Sequence, residues 1–145
     1  RSELEKWFQS INIMAGPVPQ WRTNFANGYL FAQILELFFS SEIQSVGFHT
    51  GVSSSNKRDN WRQLQTFFLR YEFPLSDQEI MSMMQAKKSS IVPLLLKLHG
   101  FLSSQGWDDV LFFSRNRIIF LESSILFIYL SFSRLTLILL FVIFS

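Results

Sequence analysis

The 145-residue chain has no cysteine, so disulfides, thiolate metal sites and a cysteine nucleophile are all excluded, as fits an intracellular protein. Histidine is nearly as scarce. His49 and His99 stand 50 positions apart with no carboxylate at ligand spacing, which argues against a zinc site. Charged residues make up only 17%, and a net charge of +2 is too small to attract polyanions globally; no nucleic-acid-binding module is visible. There is no N-x-S/T sequon, G-x-G-x-x-G loop, Walker sequence or H-E-x-x-H pair, so no nucleotide cofactor or metalloprotease chemistry is expected. The chain opens on Arg1 without an initiator methionine, signal peptide or transit pattern, as a fragment would.

What is present divides into two unlike parts. Up to Gly106 there are 10 basic and 8 acidic side chains in mixed order, whereas the 39 residues from Trp107 carry 3 of each. The first part reads as one soluble domain over 1–106, the second as an apolar tail over 107–145.

Within the first part, Leu4, Trp7, Phe8 and Ile11 recur at helical spacing, and Gly16-Pro17-Val18-Pro19 is expected to end that helix. A second, largely buried helix is predicted from about Gly28 to Phe39, after a cap at Asn24 or Asn27. Residues 40–55 read as a loop lying over the core through Val46 and Phe48. From about Asn56 to Tyr71, the residues Trp61, Leu64, Phe67, Phe68 and Tyr71 share one arc at about 100° per residue, with Arg58, Arg62 and Arg70 opposite and Pro74 as the stop. Ser76-Asp77-Gln78-Glu79 is a capping box ahead of Ile80, Met83 and Met84. Pro93 fits the first turn of a last helix running through Leu94, Leu95, Leu98 and Phe101 to Gly106. The expected fold class is all-α, a compact bundle of about five helices, and no heptad pattern supports dimerisation.

Two ordered blocks carry a resemblance. Phe25-Ala26-Asn27-Gly28-Tyr29-Leu30-Phe31-Ala32-Gln33-Ile34 resembles the F-S/A-D/N-G-x-L-x-A-E-I/V signature of the calponin-homology-like domain family of sperm flagellar protein 1 and spermatogenesis-associated protein 4. Lys57-Arg58-Asp59-Asn60-Trp61-Arg62-Gln63-Leu64 is similar to the K-x-x-N-W-x-x-L block of the same family. Leu4, Trp7 and Phe8 fit its opening helix, and Lys88 to Val92 occupy the place of its A-G-V-x-E-x-L segment, so the likeness covers residues 1–104. Gln33 stands where the family has Glu, Pro93 lies inside the last helix, and the family's polar continuation is missing after Gly106. The resemblance implies an all-helical, non-enzymatic binding domain of the cytoplasm and cytoskeleton. Microtubules, in the axoneme of a cilium or flagellum and in spermatogenesis, are the first expected partner, with actin the second. Trp7, Phe25, Asn27, Gly28, Leu30, Trp61 and Leu64 form its core signature, in which Gly28 allows close backbone approach and Asn27 caps.

Tubulin and actin surfaces are acidic, so a filament site needs Lys or Arg protruding from rigid elements. Arg58, Arg62 and Arg70 are the first candidates, extended by Lys57, Lys6 and Arg22, and Lys87-Lys88 form a second small cluster. The alternative is an ordinary solvated helix face. Ser54 and Lys57 have the S-x-x-K spacing of serine hydrolases, but without companion motifs they read as a helix cap. Met81, Met83 and Met84 read as core or groove lining.

The stretch 118–145 is long enough, at about 1.5 Å per residue, to cross a hydrocarbon core of about 30 Å. Glu122 and Arg134 cut it into charge-free runs of 11 residues each, and an arginine at a helix centre costs about 2.5 to 3.5 kcal/mol on insertion scales. Three readings stand open: a membrane anchor with Arg115 and Arg117 on the cytosolic side, a splice or read-through extension foreign to the family, and a helix packed on the domain. The first would make the chain a tail-anchored adaptor whose domain binds another protein.

Overall fold

The computed structural model describes residues 2–106; the expectations for the tail, its membrane anchor included, lie outside the described residues. Among the described residues there are six α-helices: α1 (Glu3–Ser10), α2 (Trp21–Asn24), α3 (Tyr29–Phe38), α4 (Ser54–Arg70), α5 (Asp77–Met84) and α6 (Ile91–Ser104). Short 3-10 turns cover Val18–Gln20 and Ser45–Gly47. No strand occurs among the described residues, so the fold is all-α as expected. None of the described helices is long and apolar enough to cross a membrane.

Aromatic side chains tie these helices together. Trp7 and Phe8 of α1, Phe25 after α2, Phe31 of α3 and Trp61 of α4 form a continuous series with successive ring centroids 5.2 to 5.6 Å apart. A second series runs from Phe67 and Phe68 through Phe73 to Phe101 of α6. Pairs at such distances add about 0.5 to 1.5 kcal/mol each beyond the area they bury. All of the core-signature positions are buried except Leu30, which is half-buried.

Several expectations need correction. The element missed is α2: Pro17 and Pro19 do not merely break the chain but lead, through the 3-10 turn, directly into it, because proline's fixed φ suits an opening helical turn. Asn24 lies within α2 and donates to the Ala15 carbonyl at 2.9 Å, so it caps nothing; the N-cap of α3 is Gly28, and Asn27, one residue before it, accepts from the Tyr29 amide at 3.0 Å. Helix α4 begins at Ser54, two residues early, because Ser53 caps it by accepting from the Asn56 amide. Of the loop residues, Phe48 is buried but Val46 is 88% exposed. Among the methionines only Met83 is core, and Met81 is exposed.

Helices α1, α4 and α5 end without proline or glycine. Asn12, Glu72 and Ala86 each take φ between 53° and 56°. Each is the first of two amides that turn back on the helix: Asn12 and Ile13 on Gln9 and Phe8, Glu72 and Phe73 on Leu69 and Phe68, Ala86 and Lys87 on Met83 and Ser82. These are Schellman closures, normally built on glycine because a β-carbon in the left-handed region costs about 1 to 2 kcal/mol. Glu72 is exposed. Glu72→Gly is therefore expected to stabilise the domain by about 0.5 to 1 kcal/mol, the strain relieved less the added entropy of the unfolded glycine. Urea denaturation should show a higher midpoint at unchanged slope for Glu72→Gly and no comparable gain for Glu72→Ala, which keeps the strained β-carbon.

Candidate functional site

The two sequence blocks meet where the start of α3 touches α4. Trp61 Nε1 donates to the Ala26 carbonyl at 2.9 Å, within the buried core. The neighbouring Asn60, fully buried, donates from Nδ2 to the carbonyls of Asn27 (2.7 Å) and His49 (2.8 Å) and accepts the His49 amide at Oδ1 (2.9 Å). Asn27 in turn donates to the Thr50 carbonyl at 3.2 Å. A buried amide so satisfied fixes the loop before α4 onto α3. Asn60 is thus a positioning residue to which the sequence reading assigned no role. Its signal was its match to the fixed asparagine of the K-x-x-N-W-x-x-L block, which marks the position but not its burial, since a buried asparagine and a solvated one look alike in sequence.

This knot sets the orientation of α4, and with it the outward face. Trp61, Leu64, Phe67 and Phe68 point into the core, while Arg58, Arg62 and Thr66, four residues apart, form an exposed strip. Asp59 Oδ1 lies 4.0 Å from Arg62 Nη1, but the arginine side chain is 77% exposed. An ion pair so open contributes little, at most about 1 kcal/mol. Asp59 also lies 3.8 Å from His49 Nε2. Arg58 is exposed and has no ion-pair partner among the described residues.

The other candidates are placed differently. Lys57 Nζ donates to the Met84 carbonyl at 3.1 Å, so its charge sits on the last turn of α5, where a helix dipole favours a cation. Arg70 is held 3.1 Å from Glu42 Oε2, and Glu42 also accepts from the Tyr71 hydroxyl. The Tyr71 bond is the larger cause that lowers the Glu42 pKa, with Arg70 adding to it against a smaller opposing effect of desolvation. Glu42 is therefore a carboxylate at neutral pH and offsets Arg70. Lys6 is exposed on α1. Arg22 is exposed on α2, where it lines a groove with Lys88. The structure thus keeps Arg58 and Arg62 as one strip, draws Lys57 and Arg70 into internal contacts, and brings Arg22 to the second cluster.

No group of three or more potential metal ligands occurs among the described residues. The helix order, the buried signature and the α3–α4 knot describe a domain that holds its shape through its core and offers charge on its surface. A family model described as "CH-like domain in sperm protein" matches residues 4–100, about two thirds of the sequence, and the chain belongs to this family of calponin-homology-like domains.

Proposed function

We propose that this chain docks on the acidic surface of a cytoskeletal filament through Arg58 and Arg62, with microtubules of a cilium or sperm flagellum ahead of actin. A CH-like domain is a cytoskeleton-related binding module of a generally non-enzymatic family. One observation carries the choice of surface. Arg58 and Arg62 stand on the exposed face of a 17-residue helix whose opposite face is locked into the core, so little backbone freedom is lost on docking. The family's description as a sperm-protein domain supports the flagellar setting.

The test is co-sedimentation of the full chain with microtubules and, separately, with actin filaments over a salt series. Pelleting should weaken as salt rises, because exposed charges are screened beyond about 8 to 10 Å at physiological ionic strength. The double variant Arg58→Glu/Arg62→Glu should bind at least about tenfold more weakly while melting at the wild-type temperature. Unchanged pelleting of that folded variant would remove the strip from the site.

A further inference from the structure

A second surface lies apart from the α4 strip in its chemistry and its lining. Val18, Pro19 and Arg22 form one wall of a 450 Å³ groove, and Lys88, Ile91 and Val92 form the other. The volume falls within the range of about 300 to 1,000 Å³ typical of sites that bury a ligand group. Val18 is 43% and Val92 39% exposed, so aliphatic surface on both walls faces solvent beside the two cations. Among the described residues, none that lines the groove is acidic and offsets Arg22 or Lys88, and none belongs to α4.

Both walls are firm. Trp21 Nε1 donates to the Gly16 carbonyl at 2.9 Å, and Asn24 Nδ2 to that of Ala15 at 2.9 Å, fastening the 3-10 turn and α2 to the preceding loop. On the other side Ile91 and Val92 open the 14-residue α6, with Pro93 limiting the first turn. A preformed groove avoids much of the ordering cost of binding. The pairing of two cations with aliphatic side chains lining a groove is complementary to carboxylates flanking an apolar side chain. A groove receives a side chain, whereas insertion into a bilayer needs an apolar surface that protrudes.

We propose that this groove is a docking site for an acidic peptide that seats one aliphatic side chain between Val18 and Val92 while its carboxylates meet Arg22 and Lys88. The proposal goes beyond the filament reading and does not depend on it.

The experiment uses the full chain and dye-labelled ten-residue peptides in which one leucine is flanked by glutamates at varied spacing, read by fluorescence anisotropy. At least one peptide should bind saturably, with Arg22→Glu and Lys88→Glu each weakening it by about tenfold. Replacing the peptide's leucine by asparagine should weaken it to a similar degree. Both protein substitutions are at exposed positions, and thermal melting confirms that the variants are folded. The Arg58→Glu/Arg62→Glu variant should bind the peptides like the wild type; loss there would move the site to α4 and overturn the groove. Failure of every peptide, equal binding by the Arg22 and Lys88 variants, or equal binding of lysine-for-glutamate peptides would also overturn it. So would capture by phosphatidylserine vesicles, dependent on Arg22 and Lys88, without peptide binding.

Discussion

Asn60→Leu is expected to lower the unfolding free energy by about 2 to 4 kcal/mol, since a buried polar group left without its partner costs about 1 to 3 kcal/mol and this substitution orphans one such group and two part-buried ones. The three are the carbonyls of Asn27 and His49 and the amide of His49, all held by one side-chain amide. Leucine has similar bulk, so the loss is one of hydrogen bonds rather than of volume. Against a typical total of about 5 to 15 kcal/mol, the variant would stand near the limit of a stable fold. Urea denaturation measures the effect. A loss under about 1 kcal/mol would mean that solvent reaches these backbone groups and that the knot holds little. Asn60→Asp is a sharper probe: it can still accept from the His49 amide but turns carboxylate charge toward two carbonyl oxygens, and it should be no more stable than Asn60→Leu.

Gly28→Ala is the second large effect, expected at about 2 to 4 kcal/mol from left-handed strain and overpacking together. Gly28 takes φ +80° immediately before α3, in a conformation costly for any other residue here. A β-carbon at this position would also lie 3.0 Å from Leu64 Cδ1 and 3.4 Å from Asn60 Cβ. Leu64 is wholly buried and cannot swing into solvent to make room. Guanidinium unfolding of Gly28→Ala and of the double variant Gly28→Ala/Leu64→Ala separates the two causes. Steric overlap predicts that the double variant costs less than the sum of the single changes, whereas a purely conformational penalty predicts additivity.

The pairing of Gly28 with Leu64 explains why the fold was largely legible from the residues. Helical spacing in α3 and α4, the capping box at Ser76 and the two ordered blocks are local patterns. Each is confirmed because the buried positions it implies, such as Phe31, Ile34, Trp61 and Leu64, are those that pack. Helix ends were harder to read. Asn12, Glu72 and Ala86 close helices in a conformation that favours glycine, so glycine and proline are poor guides: the stop at Gly16 lies several residues past the end of α1, whereas periodicity brought the end of α4 to Tyr71, one residue past Arg70. Helix α2 escaped because its opening turn is made of the prolines that signalled a break.

The surface was the least legible part, for a physical reason. Periodicity tells which side of a helix faces outward but not which outward charge finds a partner from a distant segment. Lys57 meets Met84, 27 residues away, and Arg70 meets Glu42, 28 residues away, so two of the candidate cations are engaged by contacts that no local pattern displays. Arg22 and Lys88 stand far apart in sequence and share a groove only through the fold.

The α3–α4 knot also bears on the order in which the chain can become structured as it leaves the ribosome. The carbonyls of Ala26 and Asn27 are satisfied by Trp61 and Asn60, 35 and 33 residues further on. Until that later segment has emerged, the turn into α3 carries polar backbone that cannot be buried without a partner. The first three helices therefore form no self-sufficient early unit. The core closes only when translation has supplied α4, and the nascent domain commits to its fold late and as a whole.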